Sequence, residues 1–266
     1  MQHSTVPGTE DIPEGISDAD LAAELTRRAA ELAQRMREEG VRGRRKTSVS
    51  DVVTEADHAA EELVAGTLAR LRPQDGIVGE EGAARPSSSG RTWVIDPVDG
   101  TYNFLAGLDT WCSALALRGG DELLLGSVHR PASGEAWRGG RELPTTLGGR
   151  PLGELADLPL AEVAMATYLH PGVLDREDLR EPWLAAISGA ATVRMFGSGS
   201  CDLGAVATGR VGVWAQQSVP DWDWLPGAAL VQGVGGRTEQ VRVRGTVWSV
   251  AGRPTAVEEV LTALRR

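Results

Sequence analysis

Residues 92–104 read TWVIDPVDGTYNF. Thr92 to Ile95 have the apolar, β-branched character of a buried strand. The strand is expected to stop at Pro97, which cannot donate to a sheet ladder. Asp99-Gly100 then makes a tight turn. Two carboxylates, Asp96 and Asp99, leave the strand end three residues apart and can converge on one point. The Val98 carbonyl between them needs a partner and can face the same point. Carboxylates, a backbone carbonyl and water are the ligand set of Mg²⁺. Thr101 opens a helical turn, and free N–H groups at Gly100 and Thr101 can bind an anionic phosphate. A cation site beside an anion cradle points to phosphoryl transfer to water. The plainer alternative for this Asp pair is a turn and a helix cap.

On the N-terminal side, Ser17 to Glu39 reads as a helix. Ser17 and Asp20 resemble a capping box, and Leu21, Leu25, Ala29, Leu32 and Met36 share one face. A basic loop, VRGRRKTSVS, follows with Lys46 near its end. Thr54 to Leu71 is a second amphipathic helix with Ala56, Ala60, Leu63, Val64, Leu68 and Leu71 inward, stopped by Pro73. Ile77-Val78 leads into Gly79-Glu80-Glu81.

On the C-terminal side, residues 110–130 form a hairpin around Gly119-Gly120. Residues 134–153 are rich in Gly, Arg and Pro and carry no clear pattern. Strands are expected at Glu162–Leu169, Val193–Phe196, Val211–Ala215, Thr238–Val243 and Val247–Val250. Helices are expected at Glu177–Ile187, after Gly197-Ser198-Gly199-Ser200 through Thr208, at Asp223–Gln232 and from Pro254 onward. Interspersed helices, strands and hairpins indicate a mixed α+β fold rather than a doubly wound sheet.

The chain has 266 residues, 41% hydrophobic and 24% charged, with a formal net charge of −10. That acidity argues against a nucleic-acid partner. No apolar run approaches the ~18–20 residues of a membrane span, so no membrane partner is expected. MQHSTVPGTEDIPEG lacks the basic start and apolar core of a secretory signal. Cys112 and Cys201 have no metal-binding spacing, and two cysteines imply no disulfide framework, so a cytoplasmic location is expected. His3, His58, His129 and His170 are scattered and receive no role.

The motifs together resemble the inositol monophosphatase family of magnesium-dependent, lithium-sensitive-type phosphatases. WVIDPVDGTYNF looks like that family's signature. Ser50 to Asp57, SDVVTEAD, resembles its D-x-V-T-x-x-D, and Gly79-Glu80-Glu81 matches its G-E-E. Gly197-Ser198-Gly199-Ser200 stands where the family has a G-S-A-A turn. Trp222-Asp223 with Gly227 resembles its W-D-x-x-x-G. The order and spacing agree from about residue 17 to 260.

The resemblance implies a layered αβαβα sandwich of the inositol monophosphatase and fructose-1,6-bisphosphatase type. The Pro, Gly and acidic content of residues 1–16 reads as a flexible tail, and the resemblance implies a phosphatase domain over 17–266, in two subdomains with a break near 135–160. It implies two Mg²⁺ ions: one on Glu80, Asp96 and the Val98 carbonyl, one on Asp96, Asp99 and Asp223. A third ion near Glu80 belongs to the family pattern, with Glu81 as a neighbour. Asp57 and Thr101 match the catalytic pair that activates water for in-line attack on phosphorus. Gly100 and Thr101 would hold the phosphate; Gly197, Ser198 and Gln216 would face the substrate. Lys46 aligns with a lysine that tunes cation binding.

The implied enzyme is a phosphomonoesterase acting on a small phosphorylated polyol or sugar, working as a homodimer. Histidinol phosphate, fructose 1,6-bisphosphate and a 3′-phosphoadenosine nucleotide are alternatives on the same fold, as is a non-catalytic regulatory protein. The last two ester alternatives, fructose 1,6-bisphosphate and the 3′-phosphoadenosine nucleotide, carry additional negative charge and would favour extra Arg or Lys near the pocket, for which Arg138, Arg141 and Arg194 are candidates. Gln216 stands where inositol-gripping relatives commonly present a glutamate, so the substrate end departs from the pattern. Trp222, Trp224 and Pro226 replace small residues, and the G-x-G-A-F-like hairpin is absent from 138–150. Pro226 is tolerated if it lies in the first turn of its helix.

Overall fold

The computed structural model describes residues 11–40, 43–45 and 52–266. Lys46 and the first two residues of SDVVTEAD, Ser50 and Asp51, lie outside the described residues. The elements run in the order α1 (Asp18–Glu39), β1 (Gly43–Arg45), β2 (Val52–Thr54), α2 (Glu55–Leu71), β3 (Gly76–Gly79), β4 (Ala84–Arg85), β5 (Arg91–Asp99) and α3 (Thr101–Leu105). Then come β6 (Cys112–Gly119), β7 (Glu122–Arg130), β8 (Glu135–Gly140), β9 (Leu143–Leu147), β10 (Arg150–Pro151), β11 (Ala164–Tyr168), α4 (Glu177–Ile187) and β12 (Thr192–Arg194). The chain ends with α5 (Gly199–Ala207), β13 (Val213–Gln217), α6 (Asp221–Gln232), β14 (Arg237–Val243), β15 (Thr246–Gly252) and α7 (Pro254–Leu264).

Eight strands form one sheet in the order β10-β9-β8-β7-β6-β5-β3-β4, and five form a second in the order β12-β11-β13-β15-β14. Strand alternation builds the layers. Leu21 and Leu25 of α1, with Leu63 and Leu68 of α2, pack on Trp93, Ile95, Leu115 and Leu117 of the larger sheet. The other face of that sheet, through Ala114, Val128 and Trp137, meets Cys201 and Ala207 of α5 and Leu230 of α6. Those two helices also cover Ala166, Trp214 and Ala251 on the inner face of the smaller sheet. Val213, Ala215 and Val250 point the opposite way, onto Val257, Val260 and Leu261 of α7 and Ala186 of α4. The result is the αβαβα sandwich, with α5 and α6 as its middle layer. The two cysteines are buried free thiols.

Four local expectations need correction. β5 does not stop at Pro97 but runs to Asp99, because the ladder to β6 shifts register between Asp96 and Asp99. That irregularity accommodates a residue without an N–H. Residues 134–153 hold the strands β8, β9 and β10, with Gly140 paired to Leu143 around a turn, so a hairpin is present there. Its core-facing residues are few and its glycines many, which blurred the alternation. α6 begins at Asp221, so Pro226 lies in the second turn rather than the first. The helix there forgoes one intrahelical hydrogen bond. Finally, part of the expected tail is packed: Ile12 is buried against α1 and α2, and Asp11 pairs with Arg28.

Candidate active site

The shift in β5 aims Asp96 and Asp99 to the same side, and the first turn of α6 brings Asp223 to them. One carboxylate oxygen from each of the three lies within 4.8 Å of the others. Both oxygens of Asp96 are buried and have no hydrogen-bond donor. Burial drives the Asp96 pKa well above the usual carboxylate range, aided by the charges of Glu80, Asp99 and Asp223. Burial also raises Asp223, to about 7, with Asp99 adding to the effect. Asp99 is raised by burial in the same direction. Three like charges crowded into a dry corner cost free energy unless protons or a cation compensate. The donor set is all oxygen, which suits a hard divalent cation.

Asp99 is also held from behind. Its two oxygens accept hydrogen bonds from the Gly199 and Ser200 amides, at 3.1 and 2.5 Å. These amides open α5, so the carboxylate sits at the positive end of a helix. Ser198 is the N-cap of that helix, accepting from the Cys201 amide at 3.3 Å. Its hydroxyl therefore has a structural task, although Ser198 and Gly197 both line the cavity in front of the carboxylates.

Gly100 has φ of 96°, a left-handed value that favours glycine, and it is the N-cap of α3. No side chain caps α3. The Thr101 hydroxyl lies 3.2 Å from Asp57 Oδ1 and 3.0 Å from the Val98 carbonyl. Asp57 is itself fixed by a capping box at the start of α2. Its Oδ2 accepts from the Thr54 amide at 3.0 Å and from the Thr54 hydroxyl, while that hydroxyl caps the Ala56 and Asp57 amides. Burial raises the Asp57 pKa to about 6, with the Thr54 hydrogen bond working against it and the Glu81 charge with it.

Glu80 lines the same cavity but stands outside the tight group of three. Its turn is anchored by Glu61, one helical turn after Asp57. Glu61 is buried and accepts from the Glu81 amide at 2.8 Å and the Ala83 amide at 2.7 Å. A Cβ on Gly79 would fall 2.3 Å from the Glu61 carboxylate, which explains the glycine before the two glutamates. Reading the motifs alone missed Glu61. The signal was a charged residue at a core position of an otherwise apolar helix face.

The cavity measures about 720 Å³. The residues expected to face substrate, Gly197, Ser198 and Gln216, line it together with Glu80, Asp99, Thr101 and Asp223. Tyr168, His170, Met195, Phe196 and Asp202 line it as well, and the sequence reading gave none of them a part. Tyr168 ends β11, which carries no motif, and His170 follows two residues later at the start of a short turn. Asp202 follows the GSGS turn on α5 and is buried beside Trp214, with its pKa driven well up by burial. Trp224 packs rather than facing the cavity, stacked on Trp214 with ring centroids 5.7 Å apart. Arg138 ion-pairs with Asp20 on α1, Arg141 is exposed in the β8–β9 turn, and the Arg194 guanidinium bonds to Thr192 and Val193. None of the three lines the cavity.

A buried carboxylate cluster at a strand end, facing an uncapped turn inside an αβαβα sandwich, defines a class of cation-binding phosphate-handling proteins. Residues 17–263 match the model of the inositol monophosphatase family, and the chain belongs to that family. A histidinol-phosphatase of Mycobacterium tuberculosis is 33% identical over 70% of this chain and 72% of its own. Inositol-1-monophosphatase SuhB of the same organism is 32% identical over 84% of this chain and 81% of its own. The solved structure of Mycobacterium tuberculosis SuhB superposes with a TM-score of 0.78 at 29% identity, covering 93% of this chain and 95% of that one.

Proposed function

We propose that this protein is a Mg²⁺-dependent phosphomonoesterase that releases phosphate from a small phosphorylated metabolite. The observation that carries the reading is the buried group Asp96, Asp99 and Asp223, with both Asp96 oxygens lacking a donor, next to the Thr101–Asp57 pair. The residues that would hold two cations are Glu80, Asp96, the Val98 carbonyl, Asp99 and Asp223, with Asp96 shared. Bound there, the cations would neutralise charge on the phosphoryl oxygens and make water more acidic.

The chain's own groups do the rest. The Gly100 and Thr101 amides face the phosphate. Thr101 has one hydroxyl proton and two acceptors in reach. Donation to Asp57 leaves an Oγ1 lone pair for a proton from the attacking water; as Oγ1 gains that proton, the Thr101 hydroxyl proton passes to Oδ1 of Asp57, which Thr54 holds in place. The fixed position of Asp57 removes the need for side-chain reorganisation during the transfer. Gly197, Ser198 and Gln216 face the leaving group. The names of the two relatives, an inositol monophosphatase and a histidinol-phosphatase, support a monoester substrate. The two free thiols agree with a reducing, cytoplasmic setting.

The test is phosphate release from a panel of monoesters, with Mg²⁺ and with excess chelator. The expected result is cation-dependent release that Asp99→Asn abolishes while circular dichroism stays unchanged. Release that survives chelation, or full activity in the variant, would reject the reading.

A further inference from the structure

Of the three clustered carboxylates, Asp96 and Asp99 come from β5 and Asp223 from the first turn of α6. The start of that helix is weakly held by its own backbone. Pro220 is the N-cap, and no side chain caps the helix there. Pro226, in the second turn, removes the donor that would meet the Trp222 carbonyl. Asp221 pairs with Arg118 at 3.4 Å, but the two side chains are 50% and 40% exposed, and such a pair holds little. The place of Asp223 therefore depends on packing.

The next residue supplies it. Trp224 is buried and stacks on Trp214, with ring centroids 5.7 Å apart and an interplanar angle of 19°. Trp214 is a rigid partner. It is fully buried on β13, in register with Ala166 of β11 on one side and Ala251 of β15 on the other. The start of α5 packs on the same arrangement: a Cβ on Gly199 would lie 3.2 Å from the Asp223 carbonyl and 3.9 Å from the Trp214 ring. Trp214 also lines the cavity, so the indole pair backs the site.

Cation chemistry sets the demand on this packing. The outer atoms of a helical side chain lie ~5–6 Å from the axis, so a rotation of about 20° moves them by about 2 Å. That shift equals a whole Mg²⁺–oxygen distance of ~2.0–2.1 Å. Two stacked rings resist the rotation, because turning the helix slides one off the other. An aliphatic residue would fill the core without that restraint.

We propose that Trp224, stacked on Trp214, is a positioning residue: it sets the rotation of the first turn of α6 and so holds Asp223 where a divalent cation binds. The proposal rests on the cation site argued above, and its test separates the two.

The primary readout is Mn²⁺ binding to the full chain, followed by electron paramagnetic resonance. Trp224→Leu is expected to weaken one class of Mn²⁺ sites by about tenfold, in line with the worth of an aromatic pair. The Mg²⁺ concentration for half-maximal phosphate release should rise by the same factor, with kcat at saturating Mg²⁺ within about twofold of wild type. Trp224→Phe keeps a ring with less overlap and should weaken the sites by about threefold. It carries the test if the leucine variant does not fold. Val231→Ala lies two turns on in the same helix and the same core cluster, and it controls for packing alone. It should lower Tm and leave Mn²⁺ affinity unchanged. Wild-type affinity in the Trp224 variants, or equal weakening in Val231→Ala, overturns the proposal. Should wild type bind no Mn²⁺, the cation reading falls, and crystal structures of the metal-free proteins still decide the positioning. Asp223 displaced from Asp96 and Asp99 in Trp224→Leu supports it; Asp223 in place overturns it.

Discussion

Once divalent cations are removed, lowering the pH should stabilise this protein, the reverse of ordinary acid denaturation. Asp96, Asp99 and Asp223 all have pKa values raised by folding, Asp223 to about 7. A carboxylate so raised binds more protons when native than when unfolded. Stability of the metal-free protein therefore rises as pH falls from about 7 toward the unfolded value near 4. Taking the cluster as one shared proton, acidification from pH 7 to 5.5 contributes roughly 2 kcal/mol at ~1.36 kcal/mol per unit. For a chain of this size that is a rise of about 4–8 °C in Tm. Asp57, Glu61 and Asp202 are raised too and act in the same sense. His129 opposes them, because burial lowers its pKa and it must gain charge on unfolding. The assay is thermal unfolding followed by circular dichroism at pH 7.5 and 5.5, in chelator and in saturating Mg²⁺. His129 titrates in both arms, so the difference between arms reports the cluster. In chelator Tm should rise on acidification; in Mg²⁺ the gain should vanish, since the cation already compensates the charge. A metal-free protein that loses stability over that interval, in parallel with the Mg²⁺ form, would refute the reasoning.

Asp57→Asn should lower kcat by about 10²–10⁴, the usual worth of a proton acceptor, while the capping box keeps an acceptor oxygen and Tm changes little; a kcat near wild type would remove Asp57 from the reaction. Gly79→Ala pushes a Cβ into the Glu61 carboxylate and should cost about 1–3 kcal/mol in urea unfolding while weakening Mg²⁺ activation through the Glu80 turn. Unchanged stability there would mean the Glu61 anchor yields easily. The chain is expected to form a homodimer, and light scattering across a range of concentrations checks this, with a monomer throughout as the opposing result.

The sequence made the middle of the site legible because its chemistry is compressed into short runs. Asp96, Val98, Asp99, Gly100 and Thr101 lie within six residues, and a proline and a glycine mark the break that aims them. Asp223 was readable from its place beside a tryptophan at a helix start. The helices α1 and α2 were legible within a residue or so, since caps and apolar spacing agree, and α4 was too, although no side chain caps it. The hidden parts are those built by tertiary contact. Glu61 was lost among apolar neighbours on the buried face of α2, although Thr54-x-x-Asp57 was a readable capping box. Strands β8 to β10 lack alternation because Gly139 and Gly140 leave room for Thr145 and for the Leu124 backbone instead of presenting side chains. The apolar part of the cavity lining comes from α3, the end of β11 and the residues that follow β12, far apart in the chain, and no local pattern announces it.

The account's central claim is that buried carboxylates around Asp96 exist to hold divalent cations. The most direct measurement is Mn²⁺ binding by electron paramagnetic resonance at pH 7.5, on wild type and Asp96→Asn. The account predicts saturable uptake of at least two Mn²⁺ per chain by wild type. It predicts loss of the tight sites in a variant that keeps its circular dichroism spectrum. No saturable binding by wild type, or equal binding by the variant, would contradict it.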